Sequence, residues 1–249
     1  MAKLAGKVAV ITGASTGIGL AAAQRFITEG AYVYITGRRQ HELDEAVKKV
    51  GKNITGVRSD ISKLADLDHL YSTIRQQHDH IDILFANAGG GEFAALGEIT
   101  EAHFDQTFNT NVKGTLFTVQ KALPLLQDGS SIILTGSTTS VTGIPAFSVY
   151  SATKSAIRSF ARGWMMDLKD RKIRVNVLTP GPTNTPGLQQ LGRDEEQRKH
   201  LLAELVTIIP LGRLGDPEEL AKVAVFLASD ESSFINGIEL FVDGGQAQI

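Results

Sequence analysis

Tyr150 and Lys154 are the two residues whose types and spacing point most directly to chemistry. They are four positions apart, so a helix would place both side chains on one face. A phenol has a reference pKa of about 10 and is a weak acid and base at neutral pH, but a nearby ammonium group favours its phenolate form. A lowering of the pKa by about two units corresponds to roughly 2.7 kcal/mol. The pair predicts proton transfer at a substrate oxygen, with Tyr150 as the general acid or base.

Ser137 and Asn111 precede this pair and extend the candidate catalytic set. Ser137 follows the β-branched run 131–135, and Asn111 lies in a long predicted helix, 101–126. A serine hydroxyl can donate a hydrogen bond to an oxygen on which negative charge develops. Two structural alternatives stay open, with Ser137 as an ordinary turn serine and Asn111 as a buried amide at a helix kink. The four residues fit ketone reduction, in which a cofactor delivers hydride to carbon and a proton must reach oxygen.

A glycine-rich turn follows the first predicted strand. Residues 12–19 read Thr-Gly-Ala-Ser-Thr-Gly-Ile-Gly, and a helical pattern begins within them. Glycines let the backbone approach a pyrophosphate, and the helix N-terminus supplies free N–H groups and partial positive charge. Glycines also serve ordinary strand-to-helix connections, but the position after the first strand favours dinucleotide binding. The predicted contacts are Gly13, Ser15, Thr16, Gly17, Ile18 and Gly19.

The end of the second predicted strand indicates which dinucleotide binds. Gly37 stands where an NAD site usually places an acidic residue, and Arg38 and Arg39 follow it. The missing carboxylate and the guanidinium fork of Arg38 both favour a 2′-phosphate, and Ser15 offers a further hydrogen bond. The alternative is that both arginines begin a solvated helix. The pattern predicts a preference for NADP(H) over NAD(H).

The elements that position these residues alternate along the chain. Nearly continuous apolar runs predict strands that are covered on both faces, and longer helical patterns lie between them. Such alternation indicates one α/β domain over residues 1–249, a doubly wound, seven-stranded parallel sheet with helices on both faces. The predicted strands are 8–12, 32–36, 55–58, 81–85, 131–135, 174–178 and 238–242. The predicted helices are 17–29, 40–50, 63–78, 101–126, 149–169 and 217–228.

Composition narrows the function classes. The 249 residues carry a net charge of -2, so no basic surface for nucleic acid is expected. There are no cysteines, which excludes disulfides and thiolate chemistry, and none of the six histidines forms a convincing metal site. The N-terminus does not resemble a signal peptide, and no apolar run approaches 18 residues, so we expect a cytoplasmic protein without a membrane span.

Four motifs together resemble the short-chain dehydrogenase/reductase family. They are the TGxxxGxG turn at 12–19, Asn-Ala-Gly at 87–89, the ordered set described above, and Pro-Gly at 180–181. The resemblance covers nearly the whole chain and is specific at the superfamily level. It implies a Rossmann fold, the activity of an NADP(H)-dependent carbonyl reductase and a homotetramer.

The resemblance also implies roles for individual residues. Lys154 would bind the nicotinamide ribose as well as act on Tyr150, and Asn111 would hold a water that links Lys154 to solvent. Asp60 and Ile61 would lie at the adenine, with a turn or helix-cap role as the alternative for Asp60. The further implied cofactor contacts are Asn87, Ala88, Gly89, Pro180, Gly181, Thr183 and Thr185.

Substrate recognition is assigned to apolar residues near the predicted carbonyl position. Segment 182–215 is either a lid over the site or a pair of surface helices. An apolar pocket favours an uncharged, moderately hydrophobic ketone or its alcohol. The candidates, each also a possible core residue, are Ile144, Phe147, Leu188, Leu191 and Leu201.

Three other functions stay open. A 3-oxoacyl carrier-protein reductase would need positive charge near the site mouth, where residues 127–130 have none, although Arg171 can contribute elsewhere. A sugar or polyol dehydrogenase would need a polar pocket. A regulator that binds dinucleotide without turnover would typically lack Tyr150 or Lys154, both of which are present here.

Overall fold

The computed structural model describes residues 2–191 and 194–248. Its strands form one seven-stranded, all-parallel sheet in the order β3-β2-β1-β4-β5-β6-β7. This confirms the predicted single-domain, doubly wound Rossmann fold. The strands are β1 (Val8–Ile11), β2 (Tyr32–Gly37), β3 (Ile54–Arg58), β4 (Ile81–Ala86), β5 (Leu126–Thr135), β6 (Arg174–Pro180) and β7 (Glu239–Val242).

Helices cover both faces of the sheet. The core on one face takes its helical residues from α1, α2 and α9, and the core on the other from α3, α5 and α6. The helices are α1 (Gly17–Thr28), α2 (Gln40–Val50), α3 (Leu64–Gln77), α4 (Glu101–Phe108), α5 (Thr115–Ala122), α6 (Ser148–Asp167), α7 (Pro186–Gln189), α8 (Glu195–Thr207) and α9 (Pro217–Ala228). Among the described residues, no helix combines the length and apolar character needed to cross a membrane.

The two cores explain why the central strands are apolar at most positions. In β1, Val8 and Val10 belong to one core, and Ala9 and Ile11 belong to the other. Successive side chains of a strand point to opposite faces, so a central strand of a covered sheet needs apolar residues at every position. This burial fixes the carboxyl ends of the central strands, where the candidate site residues lie.

The predicted helix 101–126 is wrong in two places. A π-helical turn, Asn109–Gly114, interrupts it between α4 and α5. It then ends at Ala122, because Pro124 provides no N–H donor for the next helical hydrogen bond. β5 consequently begins at Leu126 rather than residue 131, and its pairing with β4 shifts register over the exposed residues 127–129.

The segment 182–215 leaves the sheet and returns to its own starting point. Thr183 and Gly215 form an isolated parallel bridge, and the Asn184 N–H donates to the Gly215 carbonyl at 2.9 Å. Between these ends lie α7 and α8, and no residue of α8 is buried. Residues 192 and 193 of this segment lie outside the described residues. The segment is thus an insertion after β6 whose two ends are hydrogen-bonded to each other.

Candidate active site

Tyr150 and Lys154 lie one turn apart near the start of α6. Lys154 is 4% exposed, and its Nζ lies 5.4 Å from the centroid of the Tyr150 ring. Nζ donates to the carbonyl of Thr135 at 2.8 Å, which ties α6 to the last residue of β5. The predicted shared face of the helix is therefore present, and it faces the carboxyl end of the sheet.

Ser137 follows β5 by two residues and caps a short 3₁₀ helix, Thr138–Ser140. Its Oγ accepts from the N–H of Thr139 at 3.3 Å and from the hydroxyl of the same residue at 3.1 Å. Both hydrogen bonds use lone pairs, so the Ser137 proton stays available for donation. A hydrogen bond between the Ser137 hydroxyl and the Tyr150 phenol lowers the pKa of Tyr150.

Burial sets the protonation of both titratable groups. It raises the pKa of Tyr150 to about 12, with Ser137 acting in the opposite direction, and it lowers the pKa of Lys154 to about 8. The sequence suggested a lowered tyrosine pKa instead. The direction differs because both side chains are desolvated and the Lys154 ammonium is directed at Thr135 rather than at the phenol oxygen. At neutral pH, Tyr150 is a phenol with a proton to give.

Asn111 lies in the π-helical turn and is 1% exposed. Its Nδ2 donates to the Gly90 carbonyl at 2.8 Å and to Thr153 Oγ1 at 3.0 Å, and its Oδ1 accepts from the Gly90 N–H at 3.1 Å. Both amide protons are therefore used within the protein. The side chain joins the loop after β4 to α6, as in the alternative of a buried amide. Its amide protons are not available to a water, so a water could be held only by an oxygen of Asn111.

An aromatic stack borders Tyr150, and only Phe147 of it was expected from the sequence. The ring of Phe147 lies 4.5 Å from that of Tyr150 and 4.5 Å from that of Phe93, between centroids. Ala146 has φ of 59°, an uncommon left-handed conformation, and its carbonyl accepts from the Ala94 N–H at 2.8 Å. The signal that sequence reasoning missed is Gly89–Gly91, which lets the loop carrying Phe93 approach Tyr150.

The glycine-rich turn forms a cradle that side chains would fill. A Cβ on Gly13 would lie 2.7 Å from the Ala88 Cα, and one on Gly19 would lie 2.6 Å from the Gly13 carbonyl oxygen. Gly13 and Gly17 have positive φ, 64° and 59°. Thr16, the N-cap of α1, makes no side-chain cap hydrogen bond. A bare backbone beside a helix N-terminus is suited to a pyrophosphate group.

Asn87 braces this cradle from the neighbouring strand. Its Nδ2 donates to the carbonyls of Thr12 and Gly13 at 3.0 and 3.1 Å, and the Thr12 hydroxyl accepts from the N–H groups of Asn87 and Ala88 at 3.1 and 3.0 Å. The carboxyl ends of β1 and β4 are thereby locked together. The strand order reverses at this point, because β2 and β3 lie on one side of β1 and β4 to β7 lie on the other. Ligand crevices usually lie at such a reversal.

The residues predicted to choose the dinucleotide lie close together at the end of β2. A Cβ on Gly37 would lie 3.0 Å from the Ser15 Oγ, so a larger residue here would press on that hydroxyl. Arg38 and Arg39 are both exposed, and Arg39 is paired with Glu42 at 2.9 Å. Arg38 makes no ion pair with the described residues. Of the two arginines, Arg39 is therefore the one already engaged by a carboxylate.

Asp60 and Ile61 follow β3 but are engaged within the protein. One carboxylate oxygen of Asp60 accepts from the N–H and the hydroxyl of Ser62, at 3.1 and 2.7 Å. This is the turn role given as the alternative. Ile61 is 4% exposed, and its side chain packs closely against the backbone of Gly114. A Cβ added to Gly114 would lie only 2.9 Å from the Ile61 side chain. The second carboxylate oxygen of Asp60 makes no hydrogen bond to the described residues.

The Pro180–Thr185 turn begins at the carboxyl end of β6. The N–H of Gly181 donates to the Val242 carbonyl at 3.1 Å, and the Thr183 hydroxyl donates to the Gly181 carbonyl at 2.9 Å. The Thr185 hydroxyl caps α7 by accepting from the Leu188 N–H at 3.2 Å, and its side chain would contact a Cβ on Gly17 at 3.4 Å. The turn therefore comes to the edge of the phosphate cradle.

The predicted substrate residues divide by burial. Phe147 is 8% exposed and lies inside the aromatic stack, so its ring faces are taken by Phe93 and Tyr150. The other four are half-buried: Ile144, Leu188, Leu191 and Leu201. Leu188 lies on α7, and Leu201 lies on α8. None of the four is among the described residues that form or pack against the two cores.

Comparisons with known proteins agree with this geometry. A family model described as enoyl-(acyl carrier protein) reductase matches residues 13–247. The oxidoreductase asL5 of Sarocladium schorii is 50% identical over 99% of this chain and 98% of its own length, and 3-oxoacyl-[acyl-carrier-protein] reductase FabG of Thermotoga maritima is 36% identical over 98% of both.

Solved structures extend the likeness to a cofactor complex. The 3-ketoacyl-(acyl-carrier-protein) reductase from Brucella melitensis, complexed with NADH, superposes with a TM-score of 0.91 at 33% identity, covering 98% of this chain and 99% of that one. Dehydrogenase/reductase SDR family member 4 of Homo sapiens is 33% identical over 97% of this chain and 88% of its own length. With its parallel sheet, glycine cradle, half-buried Tyr150 and buried Lys154, the chain belongs to the short-chain dehydrogenase/reductase family of oxidoreductases.

Proposed function

We propose that this protein interconverts a ketone and a secondary alcohol with NADP(H), and that Tyr150 is the general acid in reduction and the general base in oxidation. The observation that carries the proposal is the pair on α6, half-buried Tyr150 and buried Lys154, with the Ser137 hydroxyl beside Tyr150. A bound nicotinamide dinucleotide would supply or accept the hydride. The chain's own residues then have to hold the carbonyl oxygen and give it a proton.

Each polar group has a separate task in this mechanism. Tyr150 donates its phenolic proton to the substrate oxygen, and Ser137 donates a hydrogen bond to the same oxygen as its charge grows. Lys154, held by Thr135, would bind the nicotinamide ribose hydroxyls and place positive charge near the phenolate that Tyr150 becomes. Asn111 keeps the loop after β4 against α6.

Cofactor contacts follow from the cradle. The pyrophosphate would lie against Gly13, Ser15 and the α1 N-terminus formed by Thr16–Gly19, and Asp60 with Asn87–Gly89 would border the adenosine. The Pro180–Thr185 turn would contact the carboxamide. Preference for NADP(H) is supported by the crowded position above Gly37 and by the exposed guanidinium of Arg38, which makes no ion pair within the described part of the chain.

The substrate is proposed to be an uncharged, moderately hydrophobic ketone. Support comes from the half-buried apolar residues of the 182–215 segment and from the aromatic stack that ends at Phe93, which is 40% exposed. The segment serves as a lid, since its ends are bridged at Thr183 and Gly215 and α8 buries no residue of its own. A cytoplasmic homotetramer completes the proposal, and β7, half-buried at one sheet edge, is a surface suited to it.

A 3-oxoacyl thioester is the second candidate substrate, and similarity to proteins named as acyl-carrier-protein reductases favours it. The cation considered for carrier docking is engaged, however. Arg171 pairs with Asp128 at 3.0 Å and donates to the carbonyls of Leu123 and Leu126. Docking of an acidic carrier would need other positive charge.

Loss of NADPH absorbance, with NADH in parallel, tests the proposed function. The panel contains aryl ketones, keto esters, diketones, sugars and acetoacetyl-CoA. We expect turnover of apolar ketones with NADPH and a much lower rate with NADH. Turnover of the thioester alone would move the assignment to the second candidate. Binding of NADPH without turnover of any member would contradict the assignment of an enzyme and favour a dinucleotide sensor.

A further inference from the structure

Glu239 is a buried carboxylate that none of the site motifs contains. It is the first residue of β7, and its side chain is 5% exposed. One oxygen, Oε2, lies 2.8 Å from the Nε of Arg158, whose side chain is 49% exposed. A buried carboxylate is unfavourable unless it is paired and hydrogen-bonded, so its partners indicate what the charge holds in place.

The second oxygen of Glu239 holds the turn that carries Ser137. Its Oε1 accepts from the Ser140 hydroxyl at 2.9 Å and from the Thr179 hydroxyl at 3.1 Å. The N–H of Ser140 in turn donates to the Ser137 carbonyl at 2.9 Å. Two hydrogen bonds in series therefore connect the Glu239 carboxylate with the backbone of the proposed oxygen-binding serine.

The three partners of Glu239 belong to three segments that carry the proposed site. Arg158 lies one turn beyond Lys154 on α6, Ser140 ends the 3₁₀ helix capped by Ser137, and Thr179 directly precedes Pro180. Their separations from Glu239 in sequence are large, 99 residues for Ser140 and 60 for Thr179. One side chain thus contacts a helix, a 3₁₀ helix and a strand that are far apart in sequence.

We propose that Glu239 is a positioning residue for carbonyl reduction, which holds the Ser137 hydroxyl at the distance from Tyr150 that the substrate oxygen requires. The inference rests on the proposed function. A misplaced donor weakens stabilisation of charge on oxygen, whereas the cradle proposed for the pyrophosphate lies elsewhere, at the carboxyl ends of β1 and β4. The effect should therefore appear in kcat rather than in cofactor affinity.

The test compares Glu239→Val and Glu239→Gln by steady-state kinetics. We expect Glu239→Val to lower kcat by about tenfold to hundredfold, because small displacements of site groups have effects of this size. Glu239→Gln keeps an oxygen for Ser140 and Thr179 and should retain most of the rate. Ser140→Ala, which removes one link only, should lower kcat by a smaller factor. In each variant, the Kd for NADPH should stay within about twofold of the unchanged protein.

A double-mutant cycle with Ser137→Ala separates positioning from general destabilisation. If Glu239 acts through Ser137, Glu239→Val should lower kcat no further once the serine hydroxyl is gone. Asp82→Val is the matched control. Asp82 is 12% exposed, accepts from the Val8 N–H at 2.8 Å and pairs with Lys7 at 3.1 Å, at the opposite end of the strands. Its loss should lower the Tm and leave kcat unchanged.

Amide hydrogen exchange provides a readout that needs no substrate. The N–H groups of Ser140 and Val141 are bonded to the carbonyls of Ser137 and Thr138, so Glu239→Val should speed their exchange while Asp82→Val does not. Unchanged exchange at these amides, or an equal loss of kcat with and without the Ser137 hydroxyl, would overturn the inference. If the unchanged protein reduces no ketone, the proposed function fails and the exchange result alone decides whether Glu239 anchors the turn.

Discussion

The backbone of Gly91 lies directly against the ring of Tyr150. A Cβ added to Gly91 would lie 2.5 Å from Cδ2 of that ring and 2.8 Å from its Cβ, whereas a Cβ on the neighbouring Gly90 would have nothing within 4 Å. Contacts below 3.0 Å require something to move, and here the moving parts are the ring or the loop after β4. The relationship makes two adjacent glycines unequal for reasons that their sequence context does not reveal.

Gly91→Ala and Gly90→Ala are therefore a matched pair. We expect Gly91→Ala to lower kcat by about tenfold to hundredfold, because the phenol is pushed from the position that donates its proton. Gly90→Ala should retain near-normal kcat, and both should bind NADPH alike. Steady-state kinetics and cofactor fluorescence are the measurements. Equal kcat values for the two variants would show that Tyr150 tolerates displacement.

Tyr150→Phe removes the proposed acid while keeping its packing against Phe147. We expect kcat to fall by a factor of about 10² to 10⁴, the usual contribution of a general acid, with NADPH binding preserved. Tyr71→Phe is the control, since the buried Tyr71 hydroxyl donates to the Thr118 carbonyl at 2.6 Å, away from the site. That variant should lose about 1 to 3 kcal/mol of stability and retain activity. Substantial ketone reduction by Tyr150→Phe would refute the assignment.

Arg38→Ala should weaken NADPH binding by about tenfold to hundredfold and leave NADH binding nearly unchanged. The reason is that only NADPH carries the 2′-phosphate that this guanidinium is proposed to bind. Arg39→Ala should have a smaller effect, because Arg39 is already paired with Glu42. Titration with both cofactors measures the difference. Equal losses for NADPH and NADH in Arg38→Ala would count against the proposed phosphate contact.

The pH dependence of reduction follows from the pKa values of Lys154 and Tyr150. Burial lowers the pKa of Lys154 to about 8, so its ammonium is lost as the pH rises through that value. The pKa of Tyr150 is about 12, so the phenol keeps its proton throughout the same range. We expect kcat/KM for reduction to be flat below about pH 8 and to fall above it. A profile that stays flat to about pH 10 would separate Lys154 from the reaction.

Lys172 offers a test of backbone strain far from the chemistry. It is exposed and has φ of 53°, in the left-handed region that disfavours residues with a Cβ. Lys172→Gly should raise the free energy of unfolding by up to about 1 kcal/mol, because relief of the strain exceeds the added freedom of the unfolded chain. Asn53→Gly, at φ of 56°, should gain less, since asparagine tolerates this region. Chemical denaturation measures the free energy of unfolding. An unchanged value for Lys172→Gly would show that the backbone at this position is not strained.

The parts of the fold that sequence reasoning predicted well are those with a local cause. β1 and β4 are apolar at nearly every position because both faces are covered. Tyr150 and Lys154 share a face because a helix repeats every 3.6 residues. The glycine-rich turn was likewise predictable, since Gly13 and Gly17 occupy backbone conformations that side chains disfavour.

The parts that escaped prediction depend on contacts distant in sequence. Phe93 joins the site only because its loop meets Phe147 across the crevice. Glu239 looks like an ordinary strand residue until its partners 60 and 99 positions away are brought beside it. The direction of the Tyr150 pKa shift was also missed, because desolvation depends on packing that spacing alone does not specify.

The widened turn at Asn109–Gly114 changes the rotational phase of the helix that contains it. Each residue of an α-helix advances the side-chain direction by about 100°, so one residue more or fewer in this turn would rotate everything that follows relative to α4. Thr118 and Ala122 of α5 are buried, and Asn111 is buried before them. A single-residue deletion here would thus take either the amide or the buried face of α5 out of alignment. A substitution in the turn changes only the contacts of one side chain, whereas an insertion or deletion changes which face of α5 packs against the sheet.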